Sequence, residues 1–548
     1  MNRKKHSLAL LLPFLLLSCQ KKPASLPTVL SPTTEAPSSF ARSEDCEVTT
    51  FSVEPIGMAE GSIRVVRDPD DSGTILLLNP FNTAITGSLY SVKGVYSSEV
   101  KKEMQSFFSD RLMTLHALTD RHHSYVRAEK KEDGSVVTTP IVNLRDLNES
   151  YGTEKPVVLE EPLYSYLKKA YSFSLETDGL YDIFVGELSS YYEQWIPRNA
   201  SYLTKNALDQ AYSLSANVLI GQDVDSATIE KIVKETPKTR KEMEGLLTFD
   251  DESRSVTFHA YSGAEAEGGK VSITLGGCAK GMAVETVADE FAERYPGASL
   301  LINGGSSSIK CTAFRPDGTP WNIRIVSPAY REKIAPSEEK EPLNPYEVAL
   351  SVYGPFNLST SGYYEQYFYA LQDDGTFVRR DHILLPSTGV SASLFDAVSV
   401  FLDDAGTADL YSTALMNARS LEEAKSLFQG FSSSRPDELC GVLLAAKGEK
   451  GASSFTPYVY KRSDLSPLSS LSLPITNVLS NDGRSVKEYE GDYQDVAAGL
   501  LRRGRTKADF SFEEDYFYSS ALEGRLSLLD GKDLDNPENV LAVLKPLS

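Results

Sequence analysis

Residues 271–311 read VSITLGGCAKGMAVETVADEFAERYPGASLLINGGSSSIKC, and the order of element signals within them decides the fold. Val271, Ile273 and Leu275 alternate with polar neighbours, which predicts a half-buried strand. Gly276-Gly277 then turns the backbone. Val284, Val287, Ala288 and Phe291 come next at i, i+3, i+4 and i+7, one face of a helix that Pro296-Gly297 ends. Ser299–Ile302 resumes as an apolar strand before Gly304-Gly305 breaks it. Glycine turns beside a helix N-terminus can surround a phosphate with backbone N–H groups. The same glycine pairs also fit plain turns, and the stretch alone leaves both readings open.

Outward from it, four segments carry chemistry. In Thr177-Asp178-Gly179-Leu180-Tyr181-Asp182, Asp178-Gly179 reads as a turn and Asp182 as a cap of the next element. The hydroxyls of Thr360-Ser361-Gly362 can bond a phosphate or cap their own turn. His382 has an intrinsic pKa suited to proton transfer near neutrality, and equally fits a structural donor. Asp409 and Thr413 stand four apart, on one face of the helix that residues 408–413 open. Their oxygens are hard ligands suited to Mg²⁺ bridging a pyrophosphate; Asp409 also fits a plain complement to the helix N-terminus. Other elements are structural. Apolar residues at 100, 104, 107, 108 and 115 predict a long core helix, Pro162 starts another, residues 130–138 read as an exposed hairpin or loop, and a hairpin is expected within 245–259. Strands are expected over 82–90, 348–353 and 398–402.

Five stretches in order resemble the motifs of the ApbE family, the FAD:protein FMN transferases. They are TDGLYDIFVGEL with Trp195, LGGCAKGMAVE, STSGYYEQYF, DHILLPSTG and ADLYSTALM, and the resemblance runs over residues 77–460. It implies an α+β, ApbE-like two-lobed fold of mixed sheets flanked by helices, with insertions and a C-terminal extension. It implies an enzyme that uses Mg²⁺, takes FAD as donor, moves FMN to a Thr or Ser hydroxyl of an acceptor protein and releases AMP. The acceptor segment would be Asp…(Ser/Thr)-Gly-Ala-Thr-like. By the same resemblance, Leu180, Tyr181, Asp182, Gly276, Lys280, Met282, Thr360, Ser361, Gly362 and Ile383 bind the cofactor, the Leu180–Asp182 step lining the flavin with an aromatic face. His382 is catalytic, and the metal is held by Asp409, Thr413 and the main-chain carbonyl of Ala279. Three positions depart from the family: Thr274 and Leu385 replace aspartates, and Tyr363 replaces an acid or amide. The alternatives are an FAD pyrophosphatase and a non-catalytic flavin-binding lipoprotein.

The rest of the chain bears on location. Residues 1–19 carry Arg3, Lys4 and Lys5, then an apolar run too short to span a bilayer, then Cys19: a secretory signal. Its Leu-Leu-Ser-Cys end resembles a bacterial lipobox, so Cys19 is the expected lipidation site of an exported protein facing periplasm or cell exterior. Cleavage by an ordinary signal peptidase is the alternative. Residues 20–45, rich in Pro, Ser and Thr, read as a flexible tether, 46–460 as the transferase domain, and 461–548 as an extension without an assigned role. The net charge of −21 argues against a polyanion-binding surface, hence no nucleic acid partner. The expected partners are FAD, the membrane through its lipid anchor, and an acceptor flavoprotein of an exported or membrane redox system. Cys46, Cys278, Cys311 and Cys440 lack ligand spacing for zinc and allow up to two disulfides of unspecified pairing.

Overall fold

The computed structural model describes residues 46–53, 63–67, 80–202, 212–214, 219–305, 307–317, 321–326, 334–336, 346–352, 355–372, 377–392, 394–402, 404–420, 422–424, 426–427, 441–447, 455–461, 475–480 and 485–486. The signal segment with Cys19, the tether, Cys440 and most of the C-terminal extension lie outside the described residues. Among the described residues no helix is long and apolar enough to cross a membrane.

The fold is α+β, and its frame is one eight-stranded sheet. The strands are β1 (Cys46–Ser52), β2 (Thr86–Val92), β3 (Ser299–Asn303), β4 (Ser308–Cys311), β5 (Phe356–Gly362), β6 (Phe395–Phe401), β7 (Gly441–Lys447) and β8 (Phe455–Lys461). They lie side by side in chain order, and every neighbouring pair is antiparallel. Helices inserted between strands cover it: α1 (Ser98–Thr119), α2 (Glu161–Glu176), α3 (Ala279–Arg294) and α4 (Ala405–Met416). α1 packs on β1 and α3, α3 on β4 and α4, and α4 on β5 and β6. A second lobe is a four-stranded sheet of 377–381, 367–371, 219–222 and 200–202, with its own core of Leu188, Tyr192, Ile229, Phe368 and Leu384.

Local chemistry explains the elements that matter. In α1, Met104, Phe108, Leu112 and Leu115 form the buried stripe, and Ser97 caps its start by accepting the Val100 N–H. α4 is apolar nearly all round and therefore buried all round, which carries Asp409 into the interior with it. Two carboxylates grip its N-terminus: Asp404 accepts the Thr407 N–H and Glu285 accepts the Ala405 N–H. Lys169 and Lys310 sit on those carboxylates in turn.

Two expectations change. Residues 271–275 are extended but form no strand, only a single parallel bridge between Ser272 and Val185. The alternation reported burial correctly, since Val271, Ile273 and Leu275 are all buried. The backbone bonds go elsewhere: the Asn148 side chain takes both the N–H and the C=O of Ile273, at 2.7 and 2.9 Å, and Thr274 N–H reaches the Ile183 carbonyl. The strand expected from residue 82 starts at Thr86, after a 3₁₀ turn at Pro80–Asn82. The hairpins formed as expected, as Tyr125–Lys130 with Val136–Ile141 and Leu247–Asp250 with Ser255–Phe258.

Candidate active site around Asp409

The glycine turn ends at the first turn of α3, and α4 packs directly against it. Asp409, 3 % exposed, accepts the Gly281 N–H on Oδ2 (2.9 Å). On Oδ1 it accepts the hydroxyls of Ser359 (2.6 Å) and Ser307 (3.4 Å). One turn later the Thr413 hydroxyl donates to the Gly277 carbonyl (2.9 Å) and lies 3.4 Å from Ser361 Oγ, itself 2.7 Å from Ser412 Oγ. Burial pushes the Asp409 carboxyl above its ordinary range, while the Lys280 charge and the three donors pull it back. One carboxylate, a cluster of hydroxyls and a backbone carbonyl thus share one place. Every donor there is oxygen, which fits a hard cation that keeps several waters and phosphate oxygens as its other ligands. Among the described residues no group of three or more His, Cys, Asp and Glu offers an alternative cage.

His382 stands at the end of strand Phe377–Asp381, between the second lobe and β6. Its N–H (3.2 Å) and Nδ1 (3.1 Å) both meet the Gln366 carbonyl. A carbonyl only accepts, so Nδ1 carries the hydrogen and the neutral ring keeps its lone pair on Nε2. The ring reaches solvent, yet enough protein surrounds it that lost hydration lowers its pKa. Lys280 adds to that lowering, and Asp381, the Gln366 bond and Glu365 oppose it. Lys280 acts on both Asp409 and His382. Asn417, which caps α4, ties the two halves by donating to the carbonyls of Leu180 and Leu384.

The other residues named from sequence divide. Gly276 is exposed, and its N–H is taken by the Thr274 hydroxyl (3.2 Å). Gly277 packs closely here: a Cβ would meet Thr413 Cγ2 at 3.1 Å and Tyr181 at 3.2 Å. Ser361 joins the Thr413 cluster; Thr360 faces the other side of the sheet and bonds Ser399. Gly362 is buried. Ala279 is buried at the start of α3, and the carbonyl that Thr413 reaches is that of Gly277, two residues earlier. Met282 and Ile383 are buried in the main core. Tyr181 presents no stacking face: its ring is 3 % exposed, packed on Phe173, with its hydroxyl donating to Cys278 Sγ at 3.0 Å. Of that trio only Leu180 is partly exposed. Cys278 and Cys311 are buried thiols, pushed up to about 12 and higher still by burial. The losses at two family positions are covered locally: Thr274 pins the glycine turn, and the Leu385 backbone closes the turn to Val390 and Gly389 by itself. Ser307, Ser359, Gly277 and Asn417 were not anticipated. Ser359 was within reach, since two-residue alternation puts it on the face of Ser361.

Asp182 is 6 % exposed; its Oδ1 accepts the Phe184 N–H (2.8 Å), and Oδ2 has no hydrogen-bond partner among the described residues. Burial pushes its carboxyl up to about 8, with Glu242 adding to it. A raised carboxyl favours the folded state most below its unfolded pKa near ~4, and that contribution is lost as pH climbs through about 8. Asp182→Asn keeps the acceptor for Phe184 and cannot ionise. It is expected to match the wild type near pH 3, to pull ahead as pH rises above ~4, and to exceed it by roughly 4–6 kcal/mol at pH 9 in urea denaturation.

An antiparallel α+β frame thus brings a buried aspartate to a glycine turn, within a cluster of hydroxyls. A profile of the ApbE family matches residues 135–433, more than half of the chain, and the chain belongs to that family. Comparison with curated proteins gives no match. Among solved structures it is similar to flavin transferase ApbE from Vibrio cholerae (18% identity, 73% of this chain and 97% of that one, TM-score 0.46). It is also similar to the ApbE protein from Thermotoga maritima (20%, 70% and 94%, 0.45) and to the apo form of flavinyl transferase ApbE from Pseudomonas stutzeri (16%, 74% and 97%, 0.41).

Proposed function

We propose that the protein is a Mg²⁺-dependent FAD:protein FMN transferase that moves FMN onto a Thr or Ser hydroxyl of an acceptor flavoprotein and releases AMP. Family membership supports it, and one observation carries it: Asp409 and Thr413 of α4 meet the glycine turn through Gly281 N–H and Gly277 C=O. In this reading the acceptor oxygen bonds to the FMN-side phosphorus, and the bridging P–O bond to AMP breaks. The hydroxyl proton passes to His382 Nε2, whose lone pair the Nδ1–Gln366 bond keeps available. Lys280 supplies positive charge near the reacting phosphates. Asp409, Thr413 and the Gly277 carbonyl would hold Mg²⁺, which when bound neutralises pyrophosphate charge as the bridging oxygen leaves.

The test incubates the full chain with FAD, MgCl₂ and a peptide carrying an Asp…(Ser/Thr)-Gly-Ala-Thr segment. Peptide-linked flavin with AMP is the expected result. Free FMN plus AMP would make the protein an FAD pyrophosphatase, and bound, unchanged FAD a flavin-binding lipoprotein. We also propose that Cys19 is lipidated and anchors the protein outside the cytoplasm, beside an acceptor of an exported or membrane redox system. Labelled palmitate should enter the wild type and not Cys19→Ser.

A further inference from the structure

A buried charge cluster, apart from the Asp409 site, holds the turn that orients His382. Gln366, whose carbonyl takes two bonds from His382, comes directly after the 3₁₀ turn Tyr363–Glu365, and its N–H returns to the Tyr363 carbonyl at 3.2 Å. Tyr363 is fully buried, and the Arg379 guanidinium lies 3.6 Å from its ring centroid. Arg379 is ion-paired with Asp396 of β6, reaches the Phe395 carbonyl, and holds Nε 3.7 Å from Asp381 Oδ2; its side chain is 9 % exposed. Asp381, 2 % exposed, immediately precedes His382, and its Oδ1 accepts the Ile383 N–H at 3.0 Å. One guanidinium therefore joins the 363–366 turn, β6 and the segment that carries the histidine.

The charges that act on His382 come from three directions: Asp381 beside it, Glu365 on the turn and Lys280 on α3. Asp381 is the strongest of them, and it favours the imidazolium. A buried carboxylate next to a base would fill that base with a proton unless something neutralised it. Arg379 is the cation in contact with it.

We propose that Arg379 is a positioning residue for His382: clamped between the Tyr363 ring and the carboxylates of Asp381 and Asp396, it fixes the turn that orients the imidazole and neutralises the adjacent carboxylate. The proposal rests on the reading of His382 as the proton acceptor. A side chain that served folding alone would leave the titration of His382 where it is in any variant that still folds.

The test titrates His382 by NMR in the full chain labelled with ¹³C-histidine, the signal being assigned with His382→Gln. Arg379→Gln is expected to raise its midpoint by about one pH unit, Asp381→Asn to lower it, and the double variant to return it near the wild type. The acid limb of the flavin-transfer pH profile should move with each midpoint. An unchanged midpoint in folded Arg379→Gln overturns the proposal. If Arg379→Gln fails to fold, Arg379→Lys and Asp381→Asn decide it: Asp381→Asn must lower the midpoint and Arg379→Lys must hold it, and any other pair of results overturns the proposal. A midpoint that moves while the transfer profile stays put sustains the role of Arg379 and removes His382 from the reaction.

Discussion

Asp409→Ala should lower the turnover of flavin transfer by about 10³-fold or more, because it removes the buried carboxylate on which the oxygen cluster is built. The size of the effect comes from burial. At 3 % exposure water cannot replace the lost charge, and Thr413, Ser361 and the Gly277 carbonyl are neutral donors that bind a divalent cation weakly alone. The substitution also has a structural cost. Gly281 N–H loses its acceptor, which costs about 1–3 kcal/mol for a buried group left unpaired, while the Ser359 hydroxyl can turn to Ser308 Oγ, 3.3 Å away. Asp409→Asn separates the two effects. Its carbonyl can still accept from one side and the serines can reorient, so stability should fall by about 1 kcal/mol while turnover falls nearly as far as in the alanine variant. Raising the Mg²⁺ concentration should recover part of the asparagine variant's rate and little of the alanine variant's. Full turnover in folded Asp409→Ala would remove this carboxylate from the chemistry altogether.

The parts of this site that could be read from sequence are those with a period or a fixed spacing. The helical face of Val284, Val287, Ala288 and Phe291 is buried as its spacing requires, and Asp409 and Thr413 share a face because 3.6 residues make a turn. What could not be read depends on which distant backbone a polar group meets. The alternation at 271–275 looked like a strand because burial has the same period in any extended segment. Whether a neighbouring strand or the side chain of Asn148 takes its hydrogen bonds is decided 125 residues away. Tyr181 shows the same limit in the other direction. An aromatic residue in a loop motif suggests a ligand face, but the hydroxyl found Cys278 and the ring found Phe173. The Arg379 cluster left little local signal: Asp381 shares its strand face two residues on, but Tyr363 and Asp396 come from separate segments, each an ordinary residue in its own context.

The three glycines of the motif should respond to alanine in opposite ways, and the contrast tests the packing that builds the site. In the helix, Gly281→Ala has an intrinsic advantage of about 1 kcal/mol, because alanine is the better helix former. Its Cβ, however, would stand 2.5 Å from the Ala405 carbonyl oxygen and 2.6 Å from Asp409 Cβ. Those atoms belong to the first turns of α4, whose N-terminus is gripped by Asp404 and Glu285, so they cannot give way as the end of a flexible side chain would. The helices must then move apart, and overpacking of that kind costs about 3 kcal/mol or more, which outweighs the propensity gain. Separation also breaks the Gly281–Asp409 bond, so activity should vanish even where the variant folds. Gly277→Ala meets Thr413 Cγ2 at 3.1 Å and Tyr181 at 3.2 Å, and Thr413 can shift by a few tenths of an ångström. The fold should survive with turnover reduced, because the displaced side chain is the one that faces the Gly277 carbonyl. Gly276→Ala meets only Thr274 Oγ1, at 3.4 Å, an ordinary contact. Its stability should stay within about 0.5 kcal/mol of the wild type or rise slightly, as alanine restricts the unfolded chain. Urea denaturation of the three variants should therefore rank them 276, 277, 281 in falling stability. A Gly281→Ala protein as stable as Gly276→Ala would mean that α3 and α4 are not in contact at this point, and Asp409 would lose its place beside the glycine turn.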